Sequence, residues 1–336
     1  MKLLVTGGAG FIGSAFIRLA LTENWAARLI NLDKLTYAGN LENLSTVEND
    51  PRYRFVQGDI CDAALVRLLL DEERPDAIVH FAAESHVDRS ILGPGAFVET
   101  NVRGTFTMLE AARAAQTPRF LHVSTDEVYG SIDEPCDADE DYLLKPSSPY
   151  SASKAGSDLL AFSYFTTFKT PVVITRASNN YGPFQFPEKL IPLMISNALE
   201  DRPLPIYGDG LQVRDWLFVE DHCRAIWAAL NMGREGEIYN IGGSRALPNR
   251  EVVRLILAQL GKPESLMQPV ADRPGHDRRY AITTVKLEQA TGWRAAVPFE
   301  DGIARTIQWY RENRGWIDRV KSGAYLSYYE QNYGQR

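Results

Sequence analysis

Short apolar runs alternate with stretches of helical period through the first half of the chain. KLLVT (Lys2–Thr6) reads as a buried strand, and a helix follows from Phe11 to about Asn24. ARLINLD (27–33), YRFVQGD (53–59), DAIVHFA (76–82), RFLHVST (119–125) and PVVITR (171–176) predict further strands, the last closing the series. Helical patterns separate the third from the fourth, the fourth from the fifth, and the fifth from the sixth. Continuous apolar strands spaced by helices predict an α/β chain, a doubly wound parallel sheet covered on both faces.

Beyond residue 178 the texture changes. Pro, Gly and aromatic clusters appear, as in NNYGPFQFPEKLIP and DRPLPIYGDG, and the periodicity becomes mixed. A smaller α+β lobe is expected there. The division falls at 1–178 and 179–336, with some later segments able to return to the first lobe. No internal repeat is evident.

Composition narrows the partners. Of 336 residues, 45% are hydrophobic and 24% charged, an ordinary globular balance. A formal charge of −7 argues against general nucleic-acid or anionic-membrane binding but leaves room for a local phosphate pocket. Cys61, Cys136 and Cys223 lie far apart without a CxxC, which predicts unpaired thiols in a reducing compartment. The five histidines lack metal-ligand spacing, so no metal is expected. The glycine-broken start is a poor signal peptide and no apolar run spans a bilayer, so the expected location is the cytoplasm.

Chemistry enters at the first turn. TGGAGFIG places Gly7, Gly10 and Gly13 between a predicted strand and a predicted helix. Glycines there permit a tight turn and let backbone N–H groups approach a pyrophosphate at a helix N-terminus, as in a Rossmann-type fold. Asp33 ends the second strand, about 20 positions further on, where a carboxylate meets ribose hydroxyls. It would repel a 2′-phosphate, favouring NAD over NADP. Asp59, ending the third strand, either reaches the adenine amine or is a solvated turn residue. Tyr150 and Lys154 stand one turn apart at a helix start, where an ammonium is expected to lower the phenol's pKa. Such a tyrosine can take a hydroxyl proton while hydride leaves the same carbon.

The glycine turn with Tyr150 and Lys154 resembles the extended short-chain dehydrogenase/reductases. In that family a Ser or Thr at the end of the fifth strand completes a triad. Thr125 occupies that place, with Ser124 as second choice. Asp126 and Glu127 follow directly, and Thr-Asp-Glu resembles the signature of the dTDP-glucose 4,6-dehydratases, which simple 4-epimerases typically lack. The resemblance implies C4 oxidation assisted by Tyr150, C5 deprotonation by Glu127, C6 hydroxyl protonation by Asp126, and hydride return to C6. NAD would be tightly bound and regenerated each turnover.

The resemblance runs from Lys2 to the SYYEQNYG tail (327–334). It assigns Gly7, Gly10, Phe11, Ile12, Gly13, Asp33, Lys34, Asp59, Ile60, Phe81, Ala82, Ala83, Thr100, Tyr150, Lys154 and Asn180 to the NAD site, with Asn101 nearby. To the sugar nucleotide it assigns Ser85, His86, Thr125, Asn179, Lys189, Leu190, Pro205, Ile206, Tyr207, Arg214, Asn249, Arg273 and His276. Read alone, Tyr207 suits either base stacking or a small core. Lys189, Arg214 and Arg273 would have to converge on one cleft to hold a diphosphate. Helices around 94–116 and 148–169, amphipathic by periodicity, would pair with their copies into a four-helix homodimer interface, as in relatives. Three alternatives share most of these features: a UDP-sugar 4-epimerase or decarboxylase, a 4,6-dehydratase for another base, and a non-catalytic NAD sensor.

Overall fold

A computed structural model describes residues 1–243 and 245–321. The tail at 327–334 lies outside the described residues. Seven parallel strands form the main sheet: β1 (Lys2–Thr6), β2 (Arg28–Asp33), β3 (Tyr53–Gln57), β4 (Ala77–His80), β5 (Phe120–Thr125), β6 (Val172–Ala177) and, from late in the chain, Ile238–Ile241. β7 (Asn179–Tyr181), β8 (Leu204–Tyr207) and β9 (Val213–Phe218) precede that last strand, which is therefore β10. The spatial order is β10-β6-β5-β4-β1-β2-β3. The order reverses between β1 and β4, which opens a crevice at the carboxyl ends of those strands.

The sixth strand does not close the sheet. Ile238–Ile241 adds to its edge in parallel register with β6, pairing Tyr239 with Thr175 and Asn240 with Arg176. A four-residue strand has too little pattern of its own to be legible, and here its partner comes from another part of the chain. The helix Val219–Met232 also packs against the sheet, so a stretch beyond residue 178 belongs to the first core.

The second core gathers Tyr181, Trp216, Phe218, Phe299, Tyr310 and Trp316. Around it lie β7 and β9 with β11 (Ala246–Pro248), and β8 paired in parallel with β12 (Met267–Val270). Helices Leu190–Leu199, Asn249–Leu260, Phe299–Glu312 and Arg314–Val320 complete the lobe. Among the described residues no helix is long and apolar enough to cross a membrane.

Two helices depart from simple amphipathicity. The stretch around 94–116 is not one regular helix. Pro94–Phe97 leads into a wider π-helical segment, Val98–Gly104, and then into Thr105–Ala114. Such widened turns recur at functional sites, and this one carries Thr100 and Asn101. The long helix Pro149–Phe168 buries Tyr150, Ser151, Ser153, Lys154, Ser157 and Asp158, while Leu159, Phe162 and Phe168 stand exposed. Its polar face points inward.

That inward face meets a buried polar network beneath the crevice. Arg176 Nε donates to Asp158 Oδ2 at 2.9 Å, and its Nη1 to the Tyr129 hydroxyl at 2.9 Å. Tyr129 donates to Asn240 Oδ1 at 2.8 Å, and His122 lies 3.3 Å from Asp158. Breaking a buried pair leaves an uncompensated charge. Arg176→Met is therefore expected to cost about 3–5 kcal/mol of stability in urea unfolding. A loss below about 1 kcal/mol would mean that the pair contributes no more than an exposed one.

Candidate active site

The glycine turn follows β1 directly. Gly7 sits at φ 71°, and a Cβ there would lie 2.6 Å from Ala82 N. A Cβ on Gly13 would lie 2.3 Å from Gly7 O, so the helix could not approach the strand. A methyl on Gly10 would meet only Gly7 O, at 3.3 Å; the rest would stand in the cleft that Gly10 lines. Gly10 caps the helix Phe11–Thr22 without a side-chain hydrogen bond, leaving first-turn N–H groups for an anion.

Asp33 ends β2 at the edge of this turn. Its Oδ2 accepts from Ala9 N and its Oδ1 from Leu35 N, both at 2.8 Å. Burial raises its pKa, against the pull of these two amides. Asp59 pairs with Lys34 at 2.7 Å. Burial pushes the Asp59 carboxyl up, but the Lys34 ammonium and the Cys61 amide outweigh it, and its pKa falls below the ordinary range.

All sixteen residues assigned to NAD from sequence line one cleft, and so do Thr125, Asp126 and Glu127. Asn101 sits behind it, bonding the backbone of Glu84 and the Ser153 hydroxyl. The Thr-Asp-Glu run sits at the carboxyl end of β5, where Thr125 caps the short turn Asp126–Tyr129 by accepting from Glu127 N at 3.2 Å. Asp126 is almost wholly buried, and its Oδ1 accepts from the Thr125 hydroxyl at 3.3 Å. Burial, then the neighbouring Glu127 and Asp215 carboxyls, drive its pKa well above the usual carboxylate range. Burial also raises Glu127, but Arg273, Lys189 and Arg214 oppose it. Two adjacent carboxyls thus sit in unlike environments, one favouring a proton and one faced by cations.

Tyr150 and Lys154 owe their placement to the start of the long helix. Pro149 occupies its first turn, and Ser148 and Ser151 form a reciprocal capping box. The phenol departs from expectation. Burial and the Glu127 carboxylate push its pKa up, and the Thr125 hydroxyl opposes them only in part. Lys154 does not lower it here. The ammonium donates to Val123 O at 2.8 Å, and burial brings its own pKa to about 8.

The assigned sugar-nucleotide residues divide in two. Ser85, Thr125, Asn179 and Lys189 line the same cleft, Lys189 donating to Ser85 O at 2.8 Å. His86, Leu190, Pro205, Ile206, Tyr207, Arg214, Asn249, Arg273 and His276 lie outside that lining. Several are nonetheless tied together. Asp88 accepts from Arg273 at 2.9 Å and from the Tyr207 hydroxyl at 3.0 Å. The Tyr207 and His276 rings are 6.0 Å apart, edge to face. Arg214 lies 4.1 Å over the Tyr280 ring and donates to Asp277 O. Pro205 and Ile206 form β8, while Leu190 and Asn249 begin helices. His86 is buried, and burial lowers its pKa to about 4.

Asn43, Phe184, Gln185, His222 and Trp316 also line the cleft and were not foreseen. Nothing local in the sequence marks them; tertiary packing delivers each. Around the cleft Ser124 Oγ, Asp126 Oδ2, Asn179 Oδ1 and His222 Nε2 are buried without a hydrogen-bond partner among the described residues. Each such group costs about 1–3 kcal/mol. Together with the open face of Gly10, they fit a polar dinucleotide and its substrate.

The GDP-mannose 4,6 dehydratase family matches residues 4–306. The dTDP-glucose 4,6-dehydratase of Xanthomonas campestris pv. campestris strain B100 is 54% identical, covering 96% of each chain. The structure of DesIV, a dTDP-glucose 4,6-dehydratase from Streptomyces venezuelae solved with NAD and dTDP bound, superposes with a TM-score of 0.93 at 55% identity, covering 96% of this chain and 100% of that one. A Thermus thermophilus UDP-glucose 4-epimerase complex with NAD is 32% identical with a TM-score of 0.86, over 93% of this chain and 100% of that one. The chain belongs to the GDP-mannose 4,6 dehydratase family, among its dTDP-glucose 4,6-dehydratases.

Proposed function

We infer that the protein converts dTDP-glucose to dTDP-4-keto-6-deoxyglucose and water, with NAD regenerated in each turnover. The observation that carries this reading is the Asp126–Glu127 pair, the first buried and the second half-buried, unlike in environment and sharing a cleft with Tyr150 and Lys154. A 4-epimerase has no use for such a pair.

Bound NAD supplies hydride acceptance from C4 and return to C6, and its oxidised ring brings a positive charge into the cleft. Gly7, Gly10 and Gly13 admit its pyrophosphate, and Asp33 takes the ribose hydroxyls. Tyr150 takes the proton of the C4 hydroxyl while the Thr125 hydroxyl holds that oxygen, which requires the positive charge of the bound NAD ring to offset the burial and the Glu127 carboxylate that raise the phenol's pKa. The C4 ketone acidifies the C5 hydrogen, which the Glu127 carboxylate removes. Asp126, kept neutral by burial, gives its proton to the C6 hydroxyl, which departs as water. Glu127 then returns its proton to C5. The proton gained by Tyr150 matches the one lost by Asp126, so the site resets by proton transfer between them. Lys189, Arg214 and Arg273 face the diphosphate, supported by their shared influence on Glu127. Tyr207 offers its ring to the base.

The residues divide at 178/179, with β10 and the helix Val219–Met232 returning to the NAD lobe. The molecule works as a cytoplasmic homodimer. Three free thiols suit a reducing compartment. The outward Leu159 and Phe162, with Val98 and Phe106 from the neighbouring helical segments, form an apolar face suited to a four-helix contact with a second copy.

The direct test uses dTDP-glucose deuterated at C4. The product should be one water lighter with deuterium at C6, and an isomer of unchanged mass would overturn the reading. Asp126→Asn and Glu127→Gln should still bind NAD and oxidise C4, but elimination should slow by about 10²–10⁴-fold. Normal turnover in both would remove these residues from the chemistry. Single-turnover elimination should fall as pH drops through the raised pKa of Glu127, which must be ionised. It should fall again as pH rises through that of Asp126, which must hold its proton. A wild-type profile with no alkaline limb would dismiss Asp126 as the acid. For the interface, Leu159→Glu with Phe162→Glu should give monomers in light scattering, and a persistent dimer would place the contact elsewhere.

A further inference from the structure

The last described helix, Arg314–Val320, reaches from the second lobe back to the cofactor cleft. Trp316 is buried and lines that cleft beside Asn43, which follows β2 in sequence. Its indole Nε1 donates to Asn43 Oδ1 at 3.0 Å. The other end of the same amide, Asn43 Nδ2, donates to Ala9 O at 3.1 Å, inside the glycine turn. A second contact on that carbonyl comes from Asn40 N at 3.0 Å. One side chain therefore joins the phosphate-facing turn to a residue 273 positions away.

The bridge is braced on both sides. Arg18 donates to Asn43 O at 2.5 Å and stacks 4.3 Å over the Phe184 ring. Phe184 in turn packs against Trp309 and Trp316. Outside the cleft, Arg319 of the same helix makes a two-pronged ion pair with Glu42, its Nη2 2.6 Å and its Nε 2.9 Å from the carboxylate oxygens. Glu42 is the immediate neighbour of Asn43. Neither Trp316 nor Asn43 carries a group that can act on the sugar, so their place in the lining calls for a role other than chemistry.

We propose that Trp316, acting through Asn43, is a positioning residue that locks the glycine turn around NAD and slows its release, with the Arg319–Glu42 pair as the outer clasp. The proposal rests on the reading of the cleft as an NAD site that regenerates its cofactor. An enzyme that must return the same hydride gains from a slow cofactor off-rate, and a brace from the other lobe supplies it without occupying the reacting face.

The experiment measures NAD release from purified holoenzyme, by dilution into excess labelled NAD, alongside thermal unfolding. Trp316→Phe keeps most of the ring and removes the N–H donor; NAD should leave about tenfold faster, as expected for one buried hydrogen bond. Arg319→Ala, on the surface, loosens the clasp without touching the cleft and should speed release by about two- to fivefold. Release at the wild-type rate in Arg319→Ala and in any Trp316→Phe that folds would overturn the proposal. So would faster release that only tracks a lowered Tm and is matched by a destabilising change remote from the cleft, such as Glu73→Ala, which unpairs Arg28 and Arg54. A wild-type protein that binds no NAD would instead sink the reading of the cleft itself, so the two failures are distinguishable.

Discussion

The structure turns on two carboxyls placed side by side at the end of one strand, Asp126 buried and Glu127 half-buried. Asp126 and Glu127 share a backbone but not an environment. Asp126 turns into the protein toward Asp215, and Glu127 faces cations brought from the second lobe. Like charges in low dielectric cannot both ionise cheaply, so the surroundings decide which one keeps a proton. The proposed division into acid and base would therefore be written into packing before any sugar arrives. The second lobe supplies the cations that make the neighbours unlike, and that is a reason for its being attached to the sheet.

The same logic explains the polar floor beneath the cleft. Lys154 cannot stay charged in a buried helix without compensation, and Asp158 one turn further along raises its pKa against the burial penalty. Asp158 in turn needs Arg176 on β6, which is further anchored by Tyr129. Asn240 on β10 accepts from Tyr129 and sits in register with Arg176. The added strand does more than cover an edge. It satisfies the end of a polar chain that begins at Lys154, which is a physical reason for a late segment to return to the first sheet.

Legibility followed locality. Gly7, Gly10, Gly13 and the Tyr150–Lys154 pair could be read because turn geometry and helical spacing are decided by neighbours in sequence. Of the first six strands, all but β3 could be read because they are buried almost throughout and therefore largely apolar, while β3, at the sheet edge, is half-buried or exposed along its length. β10 could not, being four residues whose identity as a strand depends on β6. Trp316, Asn43 and His222 in the cleft were invisible for the same reason: ordinary side chains made special by distant packing. The direction of the Tyr150 shift was misjudged because spacing along a helix says nothing of burial or of a carboxylate arriving from another strand. The widened turn at 98–104 has no pattern of its own, although Thr100, which it carries, was named.

The long helix shows how one constraint spreads. Its inner face holds Tyr150, Lys154, Ser157 and Asp158 in its first half, and only farther along do Ala161 and Tyr164 join the apolar core of the sheet. Leu159 and Phe162 stand on the outer face, 58% and 44% exposed in the single chain. A helix with polar groups inside and apolar groups outside gains stability chiefly when that outer face is covered. The proposed homodimer covers it. On this argument, the second copy would stabilise the element that holds the tyrosine and lysine in place. Catalysis and association are then two faces of one helix, and a chain that kept the first while losing the second would hold its active site less firmly.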